Sequence, residues 1–398
     1  MSNINEKMAS LGKVRSVIRD IFEYGNARRR EIGAENVYDF SLGNPSVPAP
    51  DEVKDAITDL VNNFDPVALH GYTSAVGDEG VRIAIANDIN KRFSAGITKD
   101  DVYRTCGAAA SLTVSLGAVT NAGDEVVVIA PFFPEYRVFA EASGATLVVV
   151  PADTKTFEVD LEAFEAAVTP KTKAVIINTP NNPTGVVIKP ERLEALCGVL
   201  RKKEAEFGKT IFLISDEPYR ELVYDGDTDL PYLVNLYDDT IVCYSFSKSL
   251  SLPGERIGYI VVSNRIKDSR EVYAAVCGAG RALGFVCAPS TMQRVVSRCL
   301  GKTADISVYK TNRDLLYDNL TSYGFECVYP DGAFYLFMKS PESDAKAFCE
   351  RAKKYELLLV PSDSFGCPGY VRISYCVSTD MIKRSLPSFE ALAKEYFK

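Results

Sequence analysis

The chain has 398 residues, 46% of them hydrophobic and 25% charged, with a formal net charge of -8. That length supports a large core in two or three domains. The negative balance argues against a nucleic-acid or bilayer-surface binder, because phosphate contacts need clustered cations. The basic runs are short, as in Arg28-Arg29-Arg30 and Arg201-Lys202-Lys203, and read as solvated helix faces. The N-terminal stretch has no continuous apolar core and does not read as a signal peptide, and no apolar run approaches a membrane span. Ten scattered cysteines without a C-x-x-C pair read as reduced thiols, so a cytoplasmic location is expected. The single histidine, His70, excludes a multi-histidine zinc site and argues against a Ser-His-Asp triad. No metal site is expected, and proton traffic must run through lysine, tyrosine or carboxylates.

In chain order, the first 45 residues are expected to join a smaller unit or to embrace a partner subunit. From about 75 to 290, helical stretches alternate with the short runs EVVVIA (125–130), TLVVV (146–150), KAVIIN (173–178), TIFLIS (210–215), TIVCYS (240–245) and GYIVVS (258–263). Near-continuous apolar runs fit strands buried on both faces, and their alternation with helices predicts an α/β, largely parallel, doubly wound sheet. After about residue 290, helical periods at 291–300 and 305–322 precede strand-like AFYLFMK (333–339), LLLVP (357–361) and YVRISYC (370–376). That pattern predicts a smaller α+β unit. The domain expectation is an arm over 1–45, a large domain over 46–288 and a small C-terminal domain over 289–398.

Ligands of open parallel sheets bind beyond the carboxyl ends of the strands. Three polar segments follow three predicted strands here: TPNNPTG, DEPYREL and FSKSL. Lys248 lies in the last of them, with Arg256 eight residues on. Desolvation and a neighbouring cation both favour the neutral amine, a nucleophile toward carbonyls, so a Schiff-base lysine is the natural use. Asp216 ends its strand and could cap a helix or pair with a pyridinium nitrogen, and Tyr219 could donate to the same ring's oxygen. Asn182 is a second donor for that oxygen. The small-residue helix opening at 107–109 suits a phosphate, with Ser245 and Arg256 completing a cup. Arg372, inside YVRISY, needs an internal acid or a substrate carboxylate as partner.

The motifs SLGNPS (41–46), GYTSAVGDEGVR (71–82), APFFPEY (130–136), NTPNNPTG, DEPYREL, SFSKSLSLPGERIGY, PDGAFYLF (330–337) and YVRIS occur in one order along the chain. On these motifs it resembles the class I/II pyridoxal-5'-phosphate aminotransferases, the aspartate aminotransferase-like family of fold type I. The resemblance implies a large α/β/α domain with a mostly parallel seven-stranded sheet, and a smaller α+β domain. It implies pyridoxal phosphate on Lys248, which then shuttles a proton, with Asp216 on the pyridine nitrogen. It places Tyr219 and Asn182 on the ring oxygen, Phe133 on the ring face, and Ala108, Ala109, Ser245 and Arg256 on the phosphate. It implies Arg372 as the clamp of the substrate carboxylate, with Asn182 and Gly43 at that end. Tyr72 would reach the cofactor phosphate of the neighbouring subunit in a homodimer.

The expected activity is amino-group exchange between an L-amino acid of aspartate, alanine or aromatic type and a 2-oxo acid such as 2-oxoglutarate. A C–S β-lyase on the same scaffold is the alternative. The effector domain of a DNA-binding regulator is disfavoured, because the N-terminus is short and not basic enough. No clean counterpart of a partner-supplied arginine is present, and Arg281 or His70 is expected to tune the side-chain pocket. GAGRALG (278–284) misplaces its third glycine for a dinucleotide site, and GKT (301–303) has Val296 where a phosphate loop needs glycine.

Overall fold

The computed structural model describes residues 3–13, 16–224 and 230–397. They separate into two compact units: Pro45–Ser307 with Asp331–Ala333, and Met1–Asn44 with Val308–Pro330 and Phe334–Lys398.

The larger unit is built on a seven-stranded sheet. Its strands are β1 (Val102–Thr105), β2 (Glu125–Ile129), β3 (Thr146–Val150), β4 (Thr172–Asn178), β5 (Phe212–Asp216), β6 (Thr240–Ser245) and β7 (Gly258–Val262). The order across the sheet is β1-β7-β6-β5-β4-β2-β3. Neighbours from β3 through β6 are parallel, and β7 runs antiparallel to both β1 and β6. Adjacent residues of each strand bury on opposite faces, which is why the runs are apolar without alternation. Val126, Val128, Ile176 and Ile214 pack on the face of helix Ala108–Val119. Val127, Val175, Ile177 and Leu213 pack on the other, with Leu196 and Leu200 of helix Pro190–Phe207.

All six predicted runs form strands. The seventh, β1, has the sequence Val-Tyr-Arg-Thr and carries no continuous apolar signal. Its Arg104 is 1% exposed. The guanidinium packs over the rings of Phe246 and Tyr259, and none of its nitrogens has a hydrogen-bond partner among the described residues. Burial lowers its pKa to about 9. A side chain at Gly77 would collide with it: a Cβ there would lie 2.1 Å from Arg104 Cγ.

Relative to the change of character expected near residue 289, helix Ser290–Arg298 lies with the larger unit. Met292, Val295 and Val296 pack there with Val81, Ile85 and Ile89 of helix Glu79–Phe93. The long helix that opens the next segment of the smaller unit is Ser307–Ser322.

The smaller unit has a four-stranded antiparallel sheet in the order Val360–Pro361, Tyr370–Ser374, Tyr335–Lys339, Cys327–Val328. The LLLVP run does not form one strand. Leu357–Leu358 pairs in parallel with Tyr38–Asp39, and Val360–Pro361 joins the antiparallel sheet. Phe40 contacts Phe389 at 5.7 Å between ring centroids, which anchors the N-terminal segment on the C-terminal helix Thr379–Ala393.

Candidate active site

The polar groups of the larger unit collect where β4, β5 and β6 end. Asn178, Asp216 and Cys243 are register partners across these parallel strands. Asn178 Nδ2 donates to the Asp216 carbonyl at 2.9 Å, and its Oδ1 accepts from the Asn182 N–H at 2.8 Å. One side chain thus ties the turn that carries Asn182 to the end of β5. Asn182 itself is buried.

Asp216 is 4% exposed. Its Oδ2 accepts a 2.5 Å hydrogen bond from the Tyr136 hydroxyl, whereas its Oδ1 is buried with no hydrogen-bond partner among the described residues. A buried polar atom left this way costs free energy unless something else satisfies it. Burial raises the carboxyl pKa from 3.8 to about 7; the Tyr136 bond opposes that rise and the neighbouring Glu217 charge adds to it. Burial, and after it Asp216, holds the Tyr136 phenol well above its ordinary range, so it stays a donor.

This predicts a pH signature for the ligand-free protein. Between 3.8 and about 7 the native state keeps a proton on Asp216 that the unfolded chain has released. The native state then binds more protons, so stability falls as pH rises through that window. Asp216→Asn is expected to remove that part of the slope. Thermal melting from about pH 4 to 7 checks it, and equal slopes in both proteins would rule it out.

The turn after β5 is held by a buried ion pair. Arg220 Nε and Nη2 donate to Glu217 at 2.5 and 2.9 Å, and the same guanidinium donates to the Leu230 and Pro231 carbonyls at 3.0 Å each. Tyr219 is buried between these two residues in sequence. The DEPYREL motif therefore divides its labour: Asp216 and Tyr219 are presented, while Glu217 and Arg220 fix the turn that presents them.

Lys248 lies in the one-turn helix Phe246–Ser249, directly after β6, and is half-buried. Ser245, the last residue of β6, caps that turn by accepting from the Ser247 N–H at 3.2 Å. Ser245 is paired with Gly258, which is paired in turn with Thr105. This row brings three chain segments close together. A Cβ at Gly258 would lie 2.4 Å from the Tyr244 carbonyl and 3.0 Å from Gly107 Cα.

Gly107 has φ of 89° and precedes helix Ala108–Val119. A Cβ on Gly107 would meet Arg256 Nη2 at 2.9 Å, so the guanidinium stands against the helix start. Arg256 Nη1 donates to the Pro253 carbonyl at 2.9 Å. Ala108, Ala109, Ser245 and Arg256 are thus gathered at one place, a helix N-terminus joined by a hydroxyl and a cation. Such a place suits an oxyanion. Phe133 is half-buried, and its ring meets Tyr136 edge-on at 5.7 Å between centroids.

The remaining predicted residues lie elsewhere. Tyr72 is 93% exposed. His70 and Arg281 are exposed on helices Pro66–His70 and Ser269–Ala282. Most of GAGRALG belongs to the latter helix, not to a strand-to-helix turn. In the smaller unit, Arg372 is buried and donates through Nη2 to the Ser41 carbonyl at 2.6 Å. Its guanidinium stacks over Tyr335 and Phe365. A Cβ on Gly43 would lie 2.1 Å from the Tyr335 hydroxyl, so only glycine fits beside this arginine.

Sequence reasoning missed Tyr136, Asn178, Glu217 and Arg220. Asn178 carried a usable signal, a polar residue closing an apolar strand. Tyr136 carried none, because its partner lies 80 positions away.

A parallel sheet with acid, amide and amine at adjacent strand ends, and an oxyanion cup beside them, defines an enzyme of the aspartate aminotransferase fold. The family model for aminotransferase class I and II matches residues 35–389, and the chain belongs to that family. It is an aminotransferase. It is 32% identical to an aspartate aminotransferase of Thermotoga maritima over 361 residues, 89% of this chain and 91% of that one. It is 29% identical to an aspartate/prephenate aminotransferase of Thermus thermophilus, covering 92% and 93% of the two chains. The crystal structure of an aminotransferase from Eubacterium rectale superposes with a TM-score of 0.98 at 55% identity over 100% of both chains.

Proposed function

We propose that the chain is a pyridoxal-5'-phosphate-dependent enzyme that exchanges an amino group between an L-α-amino acid and a 2-oxo acid such as 2-oxoglutarate. The observation that carries this reading is the buried, unpartnered Asp216 Oδ1 at a strand end. A pyridinium N–H is the donor it lacks. The cup fits the same cofactor, because Gly107 is bare where Arg256 stands and free N–H groups open the helix at Ala108 and Ala109.

When bound, the cofactor supplies an aldehyde and a protonated ring that withdraws electrons from the substrate. Each other part belongs to the protein. Asp216 Oδ1 accepts the ring N–H and keeps that proton in place. Tyr219 and Asn182 donate to the ring oxygen. Phe133 covers one ring face and excludes water from it. Ala108 and Ala109 through their N–H groups, with Ser245 and Arg256, hold the phosphate. The Lys248 amine would hold the aldehyde carbon and, as a free amine, would carry the proton taken from the substrate Cα. Arg372 offers a planar fork for the substrate carboxylate, with Gly43 leaving room at that end and Asn182 assisting.

We read the functional unit as a homodimer in which Tyr72 serves the neighbouring site. Its exposure, with Val61, Val67, Leu283 and Val286 also exposed, supports that reading. The larger unit is read as the cofactor-binding domain and the smaller as the substrate-clamping one. A cytoplasmic location is supported by ten free cysteines, and no described helix is long and apolar enough to cross a membrane. Relatives named for aspartate support a dicarboxylic donor.

A half-reaction screen tests the function. Holoenzyme is mixed with single amino acids while the cofactor absorbance is followed. Aspartate or an aromatic amino acid is expected to convert the cofactor to its amine form without an oxo acid present. Elimination to pyruvate from cystathionine, with no conversion by any amino acid, would select the lyase chemistry instead.

A further inference from the structure

Tyr136 has no part in the roles assigned above, yet it makes the closest polar contact to the acid they depend on. It belongs to helix Glu135–Ala142, which starts beyond the end of β2. The phenol is 2% exposed and its donation to Asp216 Oδ2 measures 2.5 Å. The ring is fixed from two sides, by Phe133 edge-on at 5.7 Å and by Phe132 stacked at 6.5 Å. A tyrosine held in this way has one direction in which to donate.

We propose that Tyr136 is the positioning residue for Asp216: its phenol takes up Oδ2, leaves Oδ1 for the ring nitrogen of the cofactor, and keeps the carboxylate ionised as the partner of the ring proton. The inference rests on the pyridoxal phosphate reading. The ring nitrogen and the Asp216 carboxylate compete for one proton. Asp216 lies in a dry site, where burial favours its neutral form and the neighbouring Glu217 charge favours it further. A neutral acid cannot hold a ring proton as an ion pair. Cys243 from β6 and Tyr219 from the turn after β5 also face this pair. Burial keeps the Cys243 thiol protonated, so it adds no charge. Against burial and the Glu217 charge, the Tyr136 hydrogen bond favours the charged form of Asp216. Without it, the proton shared between ring and carboxylate shifts toward the carboxylate, and the ring becomes a weaker electron sink.

The test is Tyr136→Phe, which keeps the ring and removes the donor. Apoenzyme of the variant is titrated with pyridoxal phosphate across the pH range. Affinity near pH 7.5 is expected to fall about tenfold or more, the worth of a hydrogen bond to a charged group. The midpoint of the pH dependence of uptake is expected to rise by about one unit. In the Asp216→Asn background the same change is expected to alter affinity by less than about twofold, because the cycle isolates the pair. A residue that merely fills space would not move the pH midpoint and would cost the same in both backgrounds.

Affinity within about twofold of wild type, or an equal loss in both backgrounds, overturns the proposal. If the phenylalanine protein does not fold, 3-fluorotyrosine placed at 136 keeps the shape and strengthens the donor. The midpoint should then move down, and an unmoved midpoint overturns the proposal. Borohydride reduction separates the two levels. Label on Lys248 in wild type with an unaffected Tyr136→Phe sinks only this inference; wild type that takes up no cofactor sinks the underlying reading as well.

Discussion

Replacing Lys248 with alanine is expected to slow amino-group transfer by about 10⁴-fold, the upper range for a positioned acid–base group. The loss should fall on the single-turnover rate and not on folding. Lys248 is half-buried in a one-turn helix whose start is capped by Ser245, and alanine leaves that cap intact. No other lysine lies within that turn or the end of β6. Rapid mixing of the variant with its best amino acid checks the rate, and thermal melting checks the fold. A variant keeping more than about 1% of the wild-type rate would move the proton transfer to another group.

The second large effect is expected at Arg372. Arg372→Leu should reduce kcat/KM by about 10²–10³-fold, as two charge-assisted hydrogen bonds to a carboxylate are lost. Most of that should appear as a raised KM, with the affinity for pyridoxal phosphate unchanged, because the phosphate cup belongs to the larger unit. Arg372→Lys keeps the charge but loses the planar fork and the stacking over Tyr335 and Phe365, so it should recover only part of the activity. Steady-state kinetics with one amino donor decides it. A leucine variant within about threefold of wild type in kcat/KM would remove Arg372 from carboxylate recognition.

How far the sequence disclosed this site depends on whether an interaction is local. Strands buried on both faces leave a local mark, an unbroken apolar run, and six of the seven were readable for that reason. β1 left none, since half of it is Arg104 and Thr105. What makes Arg104 tolerable there is assembled from Gly77, Phe246 and Tyr259, three distant positions. Asp216 was visible because it follows an apolar strand directly. Tyr136 sits in a helix where a tyrosine is unremarkable, and only the crossing of that helix over the strand ends makes it a donor to Asp216. Arg372 was recognised as an arginine needing a partner. The carbonyl of Ser41 and two ring faces are partners that no motif announces. LLLVP read as one strand because its composition is uniform, and it is divided because its two ends meet different neighbours.

The pairing of Asn178 with Asp216 and of Asp216 with Cys243 makes the backbone ladder a ruler for the chemistry. Neighbouring strands keep about 4.8 Å between them whatever the side chains are. The amide, the acid and the thiol beside it are therefore metered by peptide geometry, and helices on either face can drift in sequence without changing that interval. The same ruler is unforgiving along its length. A single inserted or deleted residue inside β5 would turn Asp216 to the opposite side of the sheet, while insertions after the strand ends leave the graduation untouched.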